Sequence, residues 1–418
     1  MKKKYLVFVL GLALSALGLG AWIFQIAKGL QITNLSNLFS WGLYMGSFEF
    51  FIGLSSGGMM LFAIAYLWNQ EDMKRYAKLG AICAFASVVA SGVAILTDLG
   101  QPFRVLYMIF MPNVKSPLFW DVVILGLYAV ITLIAVILTV LPDTQKHQGD
   151  RGYRMKMEDR CKILSYIALP YIVILNAGTA LMFATQRSKE WWHSAIVPVD
   201  AVSVGISSGI ALVLLVGALL VKQKDYDEWK RPFTILAKIG AVALAAHFVF
   251  TILELITIAW NGSLEGQELL HTVLHRYGGL FALEIILPLI AMIVYFIWNG
   301  SSRGLLAITS VLVIVGMFIQ KMMHLLPAFN TISLSLPAGG SENKLWSFPI
   351  SSGIFKPGQD LFVRSWDYMP TMPEIAVGLL PVGLILFVLG AAWILFGLIP
   401  GEEETVSEVP VAKSEVEE

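Results

Sequence analysis

The chain has 418 residues, 57 % of them hydrophobic and 14 % charged, with a mean hydropathy of +0.74. Soluble domains carry roughly a quarter charged residues, so soluble globular and disordered classes are both excluded. The 29 Lys and Arg balance the 29 Asp and Glu, leaving no net field that would attract nucleic acid. Cys83 and Cys161 stand in no Cys-x-x-Cys or Cys/His spacing, so no resident iron–sulfur cluster, structural zinc or disulfide framework is expected.

Apolar runs near the ~20 residues needed to cross a bilayer recur along the whole chain. They predict an all-α polytopic membrane protein with ten spans, at 5–27, 41–67, 79–97, 118–141, 163–185, 196–221, 233–260, 278–298, 304–325 and 374–397. The opening Met1-Lys2-Lys3-Lys4 and its apolar run resemble a secretory leader. That run continues to Ile26 without a clear small-x-small cleavage site, so a retained first helix is expected.

Ten spans put both termini on one side. The segments on that side hold 18 of the 29 Lys and Arg against 9 in the five other loops, and Lys238 and Lys321 lie inside spans. The richer side is expected to be cytoplasmic. The loop at 326–373 then lies outside, with Trp346, Phe348, Phe355, Trp366 and Tyr368 as apolar groups that suit covering a partner or a cavity mouth. Residues 401–418, with seven glutamates, read as a disordered acidic cytoplasmic tail.

Gly-Leu-Ser-Ser-Gly at 53–57 in the second span is echoed by Gly-Ile-Ser-Ser-Gly at 205–209 in the sixth. The helix after each carries an acid near its outer end, Asp98 and Glu254. The echo suggests two four-helix units, spans 2–5 (41–185) and 6–9 (196–325), with spans 1 and 10 flanking. An even number of helices per unit gives both copies one orientation. Strings of Gly and Ser also serve close helix packing in any membrane bundle.

Ionisable groups inside spans cost about 2.5–3.5 kcal/mol each at the bilayer centre, so each needs a partner, a cavity or a function. At 1.5 Å per residue, Glu49 lies roughly 12 Å from the outer end of its span, and Glu254 and Glu284 roughly 9 Å. Asp98, Lys321 and His324 lie nearer the outer interface, and Asn176 lies deeper. Lys321 and His324 share a helix face at i,i+3, as do His247 and Glu254 at i,i+7. Structural ion pairing and proton handling are both open to these residues. The two histidines inside spans, His247 and His324, differ in depth by most of two turns, which argues against a bis-histidine haem. No Walker, Gly-x-Gly-x-x-Gly or His-Glu-x-x-His string is present.

From Asp98 to Trp120 the chain reads "DLGQPFRVLYMIFMPNVKSPLFW". This string resembles the signature of the polysulfide reductase membrane-subunit family (NrfD/PsrC-like). "WGLYMGSFEFFIGLSSGG" from Trp41, the small-residue stretch at Gly205–Gly209 and "YMPTMPEIAVGLL" from Tyr368 extend the likeness over most of the chain. With ten spans it is similar to the longer members, the membrane subunits of hydrogenase-linked and multihaem-cytochrome-linked complexes. It departs from the common pattern at Gln101-Pro102-Phe103, where a basic residue often precedes the proline. Physically, Asp98 and Arg104 are placed to pair at a span terminus, and Pro102, Pro112 and Pro117 stiffen a short outer loop.

The resemblance implies a subunit with no metal or covalently bound cofactor, not catalytic alone, that exchanges electrons between a quinone near the outer face, menaquinone by expectation, and an iron–sulfur subunit. That partner is a four-cluster ferredoxin-like protein, with molybdopterin-type or multihaem cytochrome subunits beyond it. Quinone chemistry moves two electrons and two protons, so its site needs an apolar cleft and titratable groups at the carbonyl oxygens. Tyr44, Glu49, Asp98 and Asn176 on the first unit are the candidates, with Arg104 beside them. His247, Glu254, Glu284, Lys321 and His324 on the second unit are candidates for a second polar site or a proton path. The competing readings are a secondary transporter, which would turn over a solute without partners, and a passive anchor, which would tolerate loss of the buried acids.

Overall fold

The structure, a computed structural model, describes residues 3–398 except 145–146, 148, 222–225, 301, 331–348, 354–357, 359 and 364. Trp346, Phe348, Phe355 and the acidic tail lie outside the described residues. The ten expected spans are ten long helices: α1 (Lys3–Lys28), α2 (Leu43–Leu67), α3 (Glu71–Asp98), α5 (Pro117–Val140), α6 (Arg151–Ala184), α7 (Ile196–Leu220), α8 (Tyr226–Asn261), α10 (Gly278–Ile297), α11 (Arg303–Asn330) and α12 (Met372–Phe396). Two short helices, α4 (Tyr107–Phe110) and α9 (Leu264–His271), and a two-residue antiparallel pairing of β1 (Ile350–Ser351) with β2 (Phe362–Val363) lie between them.

Helix starts follow local chemistry. The Asp150 carboxylate caps α6 by accepting from the Tyr153 amide at 3.0 Å. Thr371 and Glu374 form a reciprocal capping box at the start of α12. Several helices run further than their apolar stretches: α3 begins at Glu71, α6 at Arg151 and α8 at Tyr226. Hydropathy stops at charges, whereas the helix continues wherever those charges find partners. Lys78, buried, pairs with Asp143 at 2.8 Å, and Lys74 pairs with Glu71 at 2.7 Å and Glu158 at 2.8 Å.

α2 is the most buried span, packed against α3, α6, α7, α11 and α12. The two echoed Gly/Ser strings meet each other at the centre of the molecule. A Cβ on Gly57 would fall inside the backbone of Gly209 and Ile210, one on Gly209 inside that of Gly57, and one on Gly53 would lie 3.2 Å from Gly205 Cα. Close approach of the two backbones therefore requires these glycines, and equivalent positions touch at one height. The neighbouring hydroxyls are satisfied within their own helices, Ser55 donating to the Ile52 carbonyl at 2.6 Å and Ser207 to Val204 at 3.0 Å.

Packing order repeats between the two groups of four. α2 lies on α3 and α6, α3 on α5, and α5 on α6; likewise α7 lies on α8 and α11, α8 on α10, and α10 on α11. α1 and α12 form a separate antiparallel pair, with Gly11 and Gly18 on one and Gly383 and Gly390 on the other letting the backbones close. Large apolar side chains exposed along α5, α6, α8 and α10 give the bundle a hydrocarbon-facing girdle. One end of the bundle bears the connection at 99–116 and the pairing of β1 with β2, which the Asn37 amide joins through the Ser352 carbonyl; this is called the long-loop end below.

Candidate functional site

The buried ionisable groups gather towards the long-loop end. Glu49, Asp121, Asp200 and Glu284 each lie within the first seven residues of α2, α5, α7 and α10, which start there, and Asp98 ends α3 there. They fall into two clusters and a cleft.

In the first cluster, Glu49 Oε2 forms an ion pair with Lys321 Nζ of α11 at 3.5 Å, both side chains buried. The other oxygen, Oε1, has no hydrogen-bond partner among the described residues. Asp121 takes the Thr179 hydroxyl at 2.6 Å on Oδ1, leaves Oδ2 without a partner among those residues, and is close enough for its charge to act on Glu49. Glu284 lies within electrostatic reach of Lys321, His247 and Asp200. His247 Nδ1 and Asp200 Oδ1 are 2.8 Å apart. Ionisable groups of α2, α5, α7, α8, α10 and α11 thus lie within electrostatic reach of one another, joined by two direct pairs, Glu49–Lys321 and His247–Asp200.

The second cluster joins α1, α2, α3 and α12. The Tyr44 hydroxyl donates to Gln25 Oε1 at 2.5 Å, and Gln25 Nε2 donates to the Thr97 carbonyl at 2.8 Å. Asp98 follows directly, its Oδ1 buried and without a partner among the described residues, within electrostatic reach of Glu374. Glu374 Oε1 accepts the Tyr368 hydroxyl at 2.6 Å, and Oε2 accepts the amides of Asn34 at 2.9 Å and Thr371 at 2.8 Å. Tyr368 stacks on Phe39 at 4.7 Å, and its oxygen accepts the Leu43 amide at 2.9 Å. Burial first, and the Glu374 carboxylate second, hold the Tyr368 proton above the usual tyrosine range.

Between α7, α8, α10 and α11 a cleft is lined by Ile196, Val197, Asp200, Phe250, Thr251, Glu254, Phe281, Glu284, Gln320 and His324, and by Trp191 of the loop before α7. Glu254 accepts the Ser194 hydroxyl at 2.7 Å. The His324 ring packs edge-on to Phe183 at 5.0 Å, while Trp191 and Trp192 fasten the 185–195 loop to the Met323 and His324 carbonyls at 3.0 and 2.6 Å.

Two expected placements change. Asp98 and Arg104 form no ion pair among the described residues: the backbone leaves α3 extended at Leu99, and Arg104 is exposed in the turn Pro102–Leu106. Asn176 has both its amide protons committed, to Ser56 Oγ at 2.7 Å and the Ile172 carbonyl at 2.8 Å, where α6 packs beside Gly205, and it shares no hydrogen bond with Tyr44, Glu49 or Asp98 among the described residues. Tyr44 and Asp98 share one cluster, whereas Glu49 belongs to the other. Sequence reading passed over Asp121, Asp200, Gln320, Gln25 and Glu374. A lone acid inside an apolar run was the available signal for the first two, and Thr-x-x-Glu at 371–374 for the last.

After Asp98 the chain presents an apolar ledge, with Phe103, Tyr107, Ile109, Phe110 and Met111 all exposed. Such a patch at the end of a membrane bundle suits a protein or lipid contact.

The comparisons with known proteins agree with this architecture. The chain is 26 % identical over 413 residues to a putative dimethyl sulfoxide reductase membrane subunit of Halobacterium salinarum, covering 91 % of this chain and 89 % of that one. It is 22 % identical to a selenate reductase subunit of Mesobacillus selenatarsenatis over 79 % and 83 % of the two chains. An Hdr-like menaquinol oxidoreductase integral membrane subunit of Archaeoglobus fulgidus is 27 % identical over 50 % and 49 %. Residues 31–333 match the family described as polysulphide reductase, NrfD, and a match of that extent, on ten apolar helices, makes this chain a member of that family of oxidoreductase membrane subunits.

Proposed function

We propose that the chain is the quinone-reactive integral subunit of a respiratory oxidoreductase, with the quinone ring bound at the long-loop end of the first unit. The observation that carries this reading is the set of buried carboxylate oxygens without partners among the described residues, Glu49 Oε1, Asp98 Oδ1 and Asp121 Oδ2, on three helices of that unit. A buried acceptor left unpaired costs about 1–3 kcal/mol or more, and the two hydroxyls of a hydroquinone would satisfy such acceptors. Oxidation of a quinol releases two electrons and two protons. On this reading Glu49 and Asp98 accept the protons, with Tyr44 on the Asp98 side, while the electrons leave to an iron–sulfur partner on the apolar ledge. Menaquinone is the expected quinone, and the names of the relatives from Archaeoglobus, Halobacterium and Mesobacillus place this family in redox complexes. Molybdopterin-type or multihaem subunits would then lie beyond the iron–sulfur protein.

The matched packing order of the two four-helix groups is what an internal duplication would produce. On this reading the first unit handles the quinone, and Lys321, Glu284 and the His247–Asp200 pair carry released protons into the second. The long-loop end faces outward and both termini lie in the cytoplasm of a prokaryotic cell. The test is the pair of variants Glu49→Gln and Asp98→Asn in the assembled complex. Each should lower quinol turnover at least tenfold while the complex still assembles. Unchanged turnover in both would leave the chain a passive anchor.

A further inference from the structure

The cleft on the second unit is not used by the quinone site proposed above, yet it has the makings of a site. Two of its polar atoms, Glu284 Oε2 and Gln320 Oε1, are buried without partners among the described residues, and Glu284 is only 4 % exposed. Flat apolar groups, Phe250, Phe281 and Trp191, form its walls. Phe250, Thr251 and Glu254 on α8 and Phe281 on α10 are half-buried, so the cleft is not sealed on the side of these two helices.

The chemistry narrows the occupant. Asp200, Glu254 and Glu284 repel an anion, and among the described residues no group of three or more side chains is arranged to hold a metal ion. Free acceptors between aromatic walls, within a membrane bundle, suit a lipid-borne ring that donates hydroxyl hydrogen bonds. The acids also repeat those of the first unit helix by helix: Asp200 on α7 answers Glu49 on α2, Glu254 on α8 answers Asp98 on α3, and Glu284 on α10 answers Asp121 on α5.

We infer that the cleft between α7, α8, α10 and α11 is a second binding site for a prenylated hydroquinone, with Glu284 and Gln320 as the groups that receive its hydroxyls. The inference rests on the reading of the chain as quinone-reactive only for the ligand class; its location is independent of the first site.

The test titrates the purified complex with 2-heptyl-4-hydroxyquinoline N-oxide, a ring-and-tail quinol mimic whose fluorescence is quenched on binding. Two sites per chain are expected. Glu284→Gln should abolish one, and so should Val197→Trp, which fills the cleft from its wall without removing a polar group. The double variant Glu49→Gln/Asp98→Asn should keep the cleft site and lose the other. Stoichiometry unchanged in Val197→Trp overturns the second site, whatever Glu284→Gln does, and leaves the first-unit reading standing. A single wild-type site that Val197→Trp removes and Glu49→Gln/Asp98→Asn spares supports the cleft and overturns the first-unit site. No binding to the wild-type complex overturns both.

Discussion

Glu49 and Lys321 show what one buried pair can do in this molecule. Each is nearly inaccessible, and each is the other's counter-charge across the α2–α11 contact. Removing one partner leaves an uncompensated buried charge, a loss of about 3–5 kcal/mol. Lys321→Met should therefore lower the unfolding temperature more than the double variant Glu49→Gln/Lys321→Met does, and thermal unfolding in detergent measures both. Lys189, in the loop before α7, offers a different lever. Its ammonium donates to the Ala328 carbonyl at 2.7 Å and lies 5.1 Å from the Phe329 ring centre, and burial depresses its pKa. The unfolded chain keeps that proton to about pH 10.4. Between the depressed native value and that limit the unfolded state binds more protons, so the contribution of Lys189 to stability rises with pH. The unfolding-temperature difference between wild type and Lys189→Met should shift in favour of wild type as pH is raised into that window. Much of this scale was legible beforehand: Glu49, Asp98, Glu284 and Lys321 declare themselves as charges within apolar runs. Asp121 and Asp200 are acids within apolar runs too, but one turn inside a span such an acid reads as interfacial, and only the tertiary structure shows what surrounds it.

The central element is the α2–α7 crossing. Its glycines were visible as a repeated string, but their meeting was not, because sequence separation says nothing about which helices touch. Gly57→Ala forces a methyl into the Gly209 backbone and should cost roughly 1–3 kcal/mol through overpacking. Gly126→Ala on α5, where a Cβ meets nothing within 4 Å, is the matched control and should be neutral. Yield of monodisperse protein and unfolding temperature report the contrast; equal effects would mean the crossing is not tight. Span positions were likewise readable from hydropathy, whereas the polar first turns of α3, α6 and α8 were not. Their charges are held by partners from distant segments, as Asp72 is by Arg231 and Lys74 by Glu158, and a one-dimensional window sees only the cost.

For the whole molecule, zero net charge conceals a sum of unlike parts. Basic residues favour the side of the termini, acids crowd the tail, and a small buried set lies towards the other end. The orientation this implies is open to labelling, since both native cysteines, Cys83 and Cys161, are buried. A cysteine introduced at Lys115 should react with an impermeant maleimide on intact cells, and one at Lys156 only after lysis; both positions are exposed. The reverse pattern would invert the topology and move the quinone site to the cytoplasmic half. The ten-helix fold and its family were legible because apolar length and the Asp98–Trp120 string are local properties. The division of the acids into two clusters was not, being a product of how nine helices pack. The central claim, that this chain passes electrons between quinone and a partner, is tested most directly by adding a menaquinol analogue to the purified complex and following reduction of its iron–sulfur clusters by paramagnetic resonance. Reduction in wild type that is lost with Glu49→Gln/Asp98→Asn is the predicted result; a complex that carries no iron–sulfur subunit, or whose clusters are reduced equally by the double variant, would contradict it.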